Sequence, residues 1–495
     1  MPEKFDILMI QPPVCKKQDT EHPVIAEYFK AVEDKLGALI GDSPYEINQG
    51  LKRIAEHVLH KNPNVKIKML DLNFIDRDKR AAGRGYLTEE DIAAELSKYE
   101  SKLTLISFMT QSFAEWSWPL VRAAKKISGN ILLGGIQPSV APLYAMQAHM
   151  PYISGVVIGE GEKVVSDLAA DIDNLDSAIA ENPLVYSPHI SARGYFKEIH
   201  SQTRATTTQK EFAEEIPARY DLFGDYMDKI SIRINTSWGC SNRCSFCSVG
   251  SFFDKCGNRR KTTDQVINEI RALDKLPLRK KQFVFGDLCM FDDMTLSNEL
   301  LDRMIEINTP YEWWCQTRAD KIDAALCAKM KKAGCRQVAI GCESGCDEQL
   351  RKISKGVSVA TIKNSLKTIR DAGMETQCYW IIGLPGESLE TARKSQDKII
   401  EYLEQGLCSV PHISILVPYP GTPIYKAAMR TPNKSGIQIA DYDFENYWMN
   451  CDMHGCGTAV HHTQDKDGNI LLESGQIYDI WLETLRRVSR FANGK

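Results

Sequence analysis

The chain has 495 residues, 61 Lys plus Arg against 65 Asp plus Glu for a formal charge of -4, and 15 cysteines. Such a length exceeds one ordinary core and predicts two or three domains, and the near balance of charge offers no basic field for nucleic acid. The start at Met1-Pro2-Glu3-Lys4 has no apolar signal core and no run reaches membrane-spanning length, so no membrane partner is expected, the expected compartment is the cytoplasm, and the cysteines are expected as thiols.

Residues 7–10 read as a short buried strand stopped by Gln11-Pro12-Pro13. Residues 44–60 have helical spacing, with Leu51, Ile54, Ala55 and Val58 on one stripe. Strands are expected at 65–70, 103–108, 130–133 and 155–158, with a helix capped by Thr88 and another over 115–127. The alternation predicts a Rossmann-like, doubly wound parallel α/β sheet over residues 1–185. Such sheets bind ligands beyond the carboxyl ends of their strands, which nominates Pro12, Pro13, Ser107, Thr110, Gly134, Gly135, Gln137 and Glu160. No GxGxxG follows the first strand and no GxxxxGK[ST] is present, so neither nucleotide fingerprint is found.

Residues 186–228 are turn-rich and polar and read as a linker, with Tyr220, Phe223 and Tyr226 as candidates for packing at a domain seam. From 229 to 425, strands are expected at 230–234, 282–285, 312–318, 337–340, 376–382 and 410–416, alternating with helices at 263–273, 296–307, 325–333, 359–371 and 389–403. Six such units are fewer than the eight of a closed α/β barrel, a class whose active face lies at the carboxyl ends of the strands.

The stretch TSWGCSNRCSFCS follows the first of these strands directly and sets Cys240, Cys244 and Cys247 in a C-x3-C-x2-C array. Three thiolates this close can wrap one corner of a [4Fe–4S] cluster and leave one iron open for another ligand. Three structural thiols, or a zinc site short of its fourth ligand, are the alternatives. Cys256, Cys289, Cys315, Cys327, Cys335, Cys342, Cys346, Cys378 and Cys408 form no second compact motif and read mostly as small buried hydrophobes.

Residues 426–495 form a small carboxy-terminal extension. Tyr442, Phe444, Tyr447 and Trp448 precede Cys451, His454 and Cys456, and His461 and His462 follow. These donor types suit zinc, but at a spacing tight for a tetrahedral site, so a substrate-lining loop and plain structure stand beside the metal reading. Residues 477–491 read as a terminal helix with Ile480, Trp481, Leu485 and Val488 facing inward, capping the barrel or meeting the first domain.

The cysteine array, with Phe246 just before its last cysteine, resembles the signature of the radical S-adenosylmethionine (SAM) enzymes. The strand and helix succession of residues 229–425 resembles that family's partial (βα)6 barrel. The resemblance implies a [4Fe–4S] cluster on Cys240, Cys244 and Cys247, SAM chelated at the open iron, and reductive cleavage of SAM to a 5′-deoxyadenosyl radical. A reductant such as flavodoxin or ferredoxin is the implied electron source. Carried onto this chain, the resemblance nominates Gly286 and Asp287 for the SAM amino group and Glu343 for its ribose or amino end. It nominates Arg318 for the carboxylate through a charge-assisted pair, Gln316 on the same barrel face, and Gly383 and Pro385 in the segment supporting adenine. No residue is nominated as a catalytic acid or base.

Through Pro12-Pro13 and the turns at 134–138 and 159–162, the first domain resembles the cobalamin-binding domain that precedes many radical SAM barrels. This implies cobalamin at the strand ends nominated above. The domain departs from many cobalamin proteins in having no Asp-x-His-x-x-Gly loop, and His22, His57, His60 and His149 lie in no such pattern. Cobalamin without a histidine beneath cobalt is therefore expected. Together the resemblances imply a cobalamin-dependent radical SAM methyltransferase acting on an unactivated carbon of a small molecule or natural-product intermediate. A radical SAM enzyme of cyclisation, ring contraction or rearrangement, with or without cobalamin, is the alternative. A nonenzymatic corrinoid or iron–sulfur sensor comes third, and no fused DNA-binding motif speaks for it. Cys15 is the only cysteine before Cys240, which disfavours the related methylthiotransferases and their three amino-terminal cluster cysteines.

Overall fold

The computed structural model describes residues 1–13, 22–32, 34, 45–187, 207–214, 216–249, 258–440 and 459–494. The chain forms two compact units: Met1–Lys16, Ser43–Ser231 and Ala272–Arg279 in the first, and Lys17–Asp42, Ile232–Arg271 and Lys280–Lys495 in the second. Two segments cross the boundaries expected from the sequence. Helix Pro23–Ala31, inside the expected first domain, packs on helix Ser474–Asn493 of the second unit, and the Tyr28 hydroxyl donates to the Pro411 carbonyl. Conversely, Arg279 turns back to the first unit and pairs with Asp228 at 2.6 Å.

The first unit is built on β1 (Glu3–Gln11), β2 (Ile67–Asp71), β3 (Tyr99–Ser107), β4 (Ser128–Gly134), β5 (Gly155–Val157) and β6 (Val185–Tyr186), in the order β2-β1-β3-β4-β5-β6. All neighbours are parallel except the short β6, which runs antiparallel at the edge. Ile7, Leu8, Met9 and Ile10 are all fully buried, the continuous apolar run of a parallel strand covered on both faces. Thr88 closes a capping box on helix Glu89–Leu96, as its position predicts. The strand order reverses between β1 and β3, the switch point where such sheets open a crevice. Tyr220, Phe223 and Tyr226 pack within this unit: Phe223 and Tyr226 against Phe74, and Tyr220 beneath the Lys52 ammonium.

In the second unit, β7 (Arg233–Ile234) is followed by a two-residue antiparallel ladder of β8 (Ser237–Trp238) and β9 (Arg259–Arg260). Then come β10 (Gln282–Phe285), β11 (Glu312–Thr317), β12 (Cys335–Glu343), β13 (Glu375–Ile382) and β14 (Val410–Ile415). The sheet runs β7-β10-β11-β12-β13-β14, every neighbour parallel and next in the series. This is the expected partial (βα)6 architecture. Val284, Trp314, Ala339 and Tyr379, from four successive strands, touch one another on the same face, because period-two alternation sends them all inward.

The extension adds β15 (Ile437–Ile439), β16 (His461–Gln464) and β17 (Ile470–Leu472) as an antiparallel sheet, then helix Ser474–Asn493. That helix buries Ile480, Trp481, Leu485 and Val488, and the Trp481 indole donates to the Ile413 carbonyl at 2.8 Å. It therefore caps the barrel side at β14.

Candidate functional site

The cysteine loop leaves the carboxyl end of β7 and is closed at its neck by the β8–β9 ladder, with Lys261 N donating to Thr236 O at 2.8 Å. Cys240, Cys244 and Cys247 are free thiols, each half-buried. The loop is pinned at its middle, where Ser245 N donates to Ile353 O at 3.0 Å and Ile424 N to Ser245 O at 3.2 Å. Burial pushes the Cys247 thiol up to about 11, opposed by the Val249 amide and reinforced by the sulfurs of Cys244 and Cys240 and by Glu343. Burial likewise raises Cys244. Two buried thiols that resist ionisation, crowded against a third, fit a cationic iron–sulfur core, which supplies the missing positive charge. Among the described residues no three His, Cys, Asp or Glu side chains gather as a mononuclear metal site would require. A cubane makes no such demand, since each thiolate binds a different iron. Phe246 is half-buried in the same loop.

Around this loop the strand ends carry a compact set of charges. Glu343, at the end of β12, sits at φ 60°, a left-handed conformation rare for a residue with a side chain. Its Oε1 lies 2.7 Å from Lys355 Nζ, and both side chains are only 8% exposed. Burial pulls the Lys355 ammonium down, but Glu343 and Cys244 outweigh it and hold it above its ordinary value. Gly341 makes room for the pair: a Cβ there would stand 2.3 Å from Glu343 Oε1 and 2.6 Å from Lys355 Nζ. Arg318 follows β11 and forks onto Asp320, with Nε to Oδ1 at 2.9 Å and Nη2 to Oδ2 at 3.0 Å. Its guanidinium lies beside the Lys355-Gly356 turn, since a Cβ on Gly356 would be 3.5 Å from Nη2. The structure thus brings Glu343, Arg318 and Cys244 into one electrostatic neighbourhood and adds Lys355, which sequence reasoning missed. Nothing local marks Lys355 out: it lies twelve positions past Glu343 in a turn, and only folding sets them together.

Asp287 and Gly286 end β10 with different tasks. Asp287 is fully buried and accepts from Thr236 N at 3.0 Å, Thr236 Oγ1 at 2.6 Å and Ser237 Oγ at 2.5 Å, so its carboxylate holds the entry to the cysteine loop. A Cβ on Gly286 would press within 2.6 Å of the Arg233 side chain and 2.8 Å of Asn235 Oδ1. Gln316 is half-buried on β11. Asp292, a few residues on, was also missed; it accepts from Ser241 N at 2.9 Å, Ser241 Oγ at 2.6 Å and Asn258 Nδ2 at 2.8 Å.

Gly383 and Pro385 are buried where β13 meets the extension. The His461 ring Nε2 lies 2.7 Å from Gly383 O, Gly383 N donates to Glu387 Oε2 at 2.6 Å, and Thr463 Oγ1 donates to Glu387 O at 2.7 Å. Complete burial, with a smaller push from His462 against the Gly383 bond, lowers His461 to about 4, so it is a neutral Nε2–H donor. His462 Nδ1 accepts from Ser474 N at 3.0 Å. Both histidines therefore serve the fold of the extension. Cys451, His454 and Cys456 lie outside the described residues, as do the four aromatics before them and Cys256.

In the first unit, the strand ends form a second constellation. Pro12 and Pro13 are buried after β1. Asn48, not foreseen, bridges the switch point by donating to Gln11 Oε1 at 2.5 Å and Ser107 Oγ at 3.3 Å. Gly134 ends β4, and Gly135 follows at φ 97°, where a Cβ would collide with Phe108 O at 2.5 Å. Gln137 is fully buried, and among the described residues neither its Nε2 nor its Oε1 has a hydrogen-bond partner. A ligand rich in amide groups fits such an orphaned carboxamide. Glu160 Oε2 accepts from Thr207 N at 2.6 Å. Thr110 opens helix Thr110–Lys125, and its side chain lies outside the described set. His149 is buried and bonded to Ala145 O at 3.0 Å.

Residues 234–399 match the family model of the radical SAM superfamily. The chain carries a radical SAM domain over residues 234–399 and is an enzyme. An uncharacterised methyltransferase of Pyrococcus horikoshii is 25% identical over 353 residues, covering 69% of this chain and 72% of that one. The anaerobic magnesium-protoporphyrin IX monomethyl ester cyclase of Cereibacter sphaeroides is 23% identical over 402 residues, covering 76% of this chain and 60% of the cyclase. The chain is similar in fold to TsrM, a radical SAM methyltransferase from Kitasatospora setae solved with cobalamin and a [4Fe–4S] cluster, at TM-score 0.63, 16% identity, and coverage of 98% of this chain and 89% of that one. No helix among the described residues is long and apolar enough to cross a membrane.

Proposed function

We propose that this chain is a cobalamin-dependent radical SAM methyltransferase that adds a methyl group to an unactivated carbon of a small molecule or natural-product intermediate. The observation that carries the reading is the three-thiol loop on the carboxyl-end face of a six-stranded parallel sheet, beside the buried Glu343–Lys355 pair and Arg318. With a [4Fe–4S] cluster, SAM and cobalamin bound, the site would have the electron, radical and methyl chemistry the reaction needs.

The chain's own residues take these parts. Cys240, Cys244 and Cys247 would ligate three irons. Lys355, with the N–H groups of Arg318 that Asp320 leaves over, would face the SAM carboxylate. Glu343 would accept from the amino group or ribose, and backbone at Gly286 would lie close because no Cβ intervenes. Gly383 and Pro385, held by His461, would line the purine. In the first unit, Gln137 would bond a corrin amide and Gly135 would let backbone approach, with Pro12, Pro13, Ser107, Gly134 and Glu160 shaping the crevice and Thr110 at its edge. A flavodoxin or ferredoxin would deliver the electron.

The test is anaerobic reconstitution with iron, sulfide and a corrinoid, followed by incubation with methyl-labelled SAM and candidate substrates. Four irons, a corrinoid spectrum, 5′-deoxyadenosine and labelled product are expected; absence of methyl transfer with a turned-over substrate refutes the methyltransferase reading. Paramagnetic resonance of the cob(II)alamin form should lack nitrogen splitting from a lower histidine. The cyclase relative supports a second reading, ring formation by the same radical. Product mass separates them, since methylation adds carbon and cyclisation does not.

A further inference from the structure

We propose that Asp292 and Asn242 are positioning residues for the iron–sulfur cluster: Asp292 gathers the two ends of the cysteine loop and so holds the Asn242 amide as a hydrogen-bond donor to the Cys240 sulfur. This rests on the reading that Cys240, Cys244 and Cys247 carry the cluster.

Asp292 is placed by a rigid turn. The Met290 carbonyl before it accepts from Arg260 Nη2 at 2.9 Å and Ser297 Oγ at 2.8 Å. Asp293 beside it caps helix Met294–Glu306 through Thr295 N at 3.0 Å and Leu296 N at 3.2 Å. Of two adjacent acids, one thus serves its own helix and the other reaches across the chain. Asp292 Oδ2 takes Ser241 N from the start of the loop and Asn258 Nδ2 from its return; Oδ1 takes Ser241 Oγ and, at 3.5 Å, Asn242 Nδ2. Bonds to an ionised acceptor are the strong kind, and these join residues far apart in sequence across the mouth of the loop.

The same Asn242 Nδ2 lies 3.4 Å from Cys240 Sγ. An N–H pointed at a ligand sulfur stabilises the thiolate most when the cluster is reduced, and hydrogen bonds to sulfur are a recognised lever on cluster potential. The amide cannot turn away freely, because its nitrogen is shared between the carboxylate and the sulfur. The arrangement therefore divides two tasks: Asp292 retains the loop, and Asn242 sets how readily the cluster accepts its electron.

The experiment uses the full chain, reconstituted anaerobically, as wild type and as Asn242→Leu, Asp292→Asn and Asn258→Leu. Iron content, midpoint potential by redox titration followed with paramagnetic resonance, and iron release to a ferrous chelator are measured. Asn242→Leu should keep its iron and show a lower potential, at least a tenfold shift in the reduction equilibrium, or about 59 mV for one electron. Asp292→Asn and Asn258→Leu should release iron several-fold faster, and Asn258→Leu should keep the wild-type potential. A wild-type potential in Asn242→Leu, an equal shift in Asn258→Leu, or wild-type iron release in Asp292→Asn would each overturn the proposal. If Asp292→Asn fails to fold, Asn258→Leu alone decides the retention arm. A wild-type chain that takes up no iron defeats the cluster reading itself, and this is seen before any variant is compared.

Discussion

Removing both members of the buried Glu343–Lys355 pair should cost about as much as removing either one alone. The charges lie 2.7 Å apart with 8% exposure on each side. Their attraction is about 6 kcal/mol at an effective dielectric of about 20, and most of it offsets desolvation. Lys355→Met leaves a buried carboxylate without its counter-charge, and Glu343→Gln leaves a buried ammonium, so each should lower unfolding free energy by about 3 kcal/mol or more. Independent losses would sum to about 6 kcal/mol, but the double variant, with no ion left to strand, should lose only about 3, a coupling of about 3 kcal/mol. Urea unfolding of the metal-free protein under reducing conditions measures this. Trp313, Trp314, Trp380 and Trp481, buried in the same unit, report it by fluorescence. Losses that add within about 0.5 kcal/mol would refute the pairing. Function should separate from stability: SAM binding weakens in all three variants, and the second substitution adds no further loss of stability yet does not restore SAM affinity.

Replacing Cys240, Cys244 or Cys247 by Ala should abolish iron retention and 5′-deoxyadenosine formation, whereas Cys256→Ala, outside the array, should retain both; iron analysis and product assay check this. His461 is held near 4 against an ordinary 6.5, so the unfolded chain protonates first. Stability should be complete above about 6.5 and decline by up to about 3 kcal/mol as pH falls toward 4. Burial, against the Gly383 and Leu384 amides and Lys352, pushes Glu387 up to about 8 from 4.5, so its contribution is full below about 4.5 and is lost as pH rises through 8. Glu387→Gln should remove the loss of stability between about pH 4.5 and 8 from urea midpoints measured across pH, and because that window overlaps the one set by His461 it should steepen the decline below about 6.5. Gly135→Ala places a methyl 2.5 Å from Phe108 O at φ 97° and should destabilise the first unit by about 1–3 kcal/mol or more; unfolding curves and corrinoid content after reconstitution should both report the loss.

What the sequence determined by itself was local and periodic. The apolar run at 7–10, the Thr88 cap, the alternation of strand and helix and the three-cysteine spacing are all written in neighbouring residues, and each element lies where that chemistry puts it. Period two also set Gln316 on the same face as Arg318 before any contact was known. Tertiary structure decided what depends on long-range meeting. Helix Pro23–Ala31 carries no sign that its partner is helix Ser474–Asn493, because an amphipathic stripe specifies burial and not the surface that covers it. Asp287, nominated for SAM by its position, has its carboxylate bonded to Thr236 and Ser237 across the sheet. Lys355, Asp292 and Asn48 have ordinary neighbours in the chain and acquire their partners only when strand ends converge. A strand pattern fixes which face a side chain takes, but the distance between two charges on different strands exists only once the sheet has closed around them.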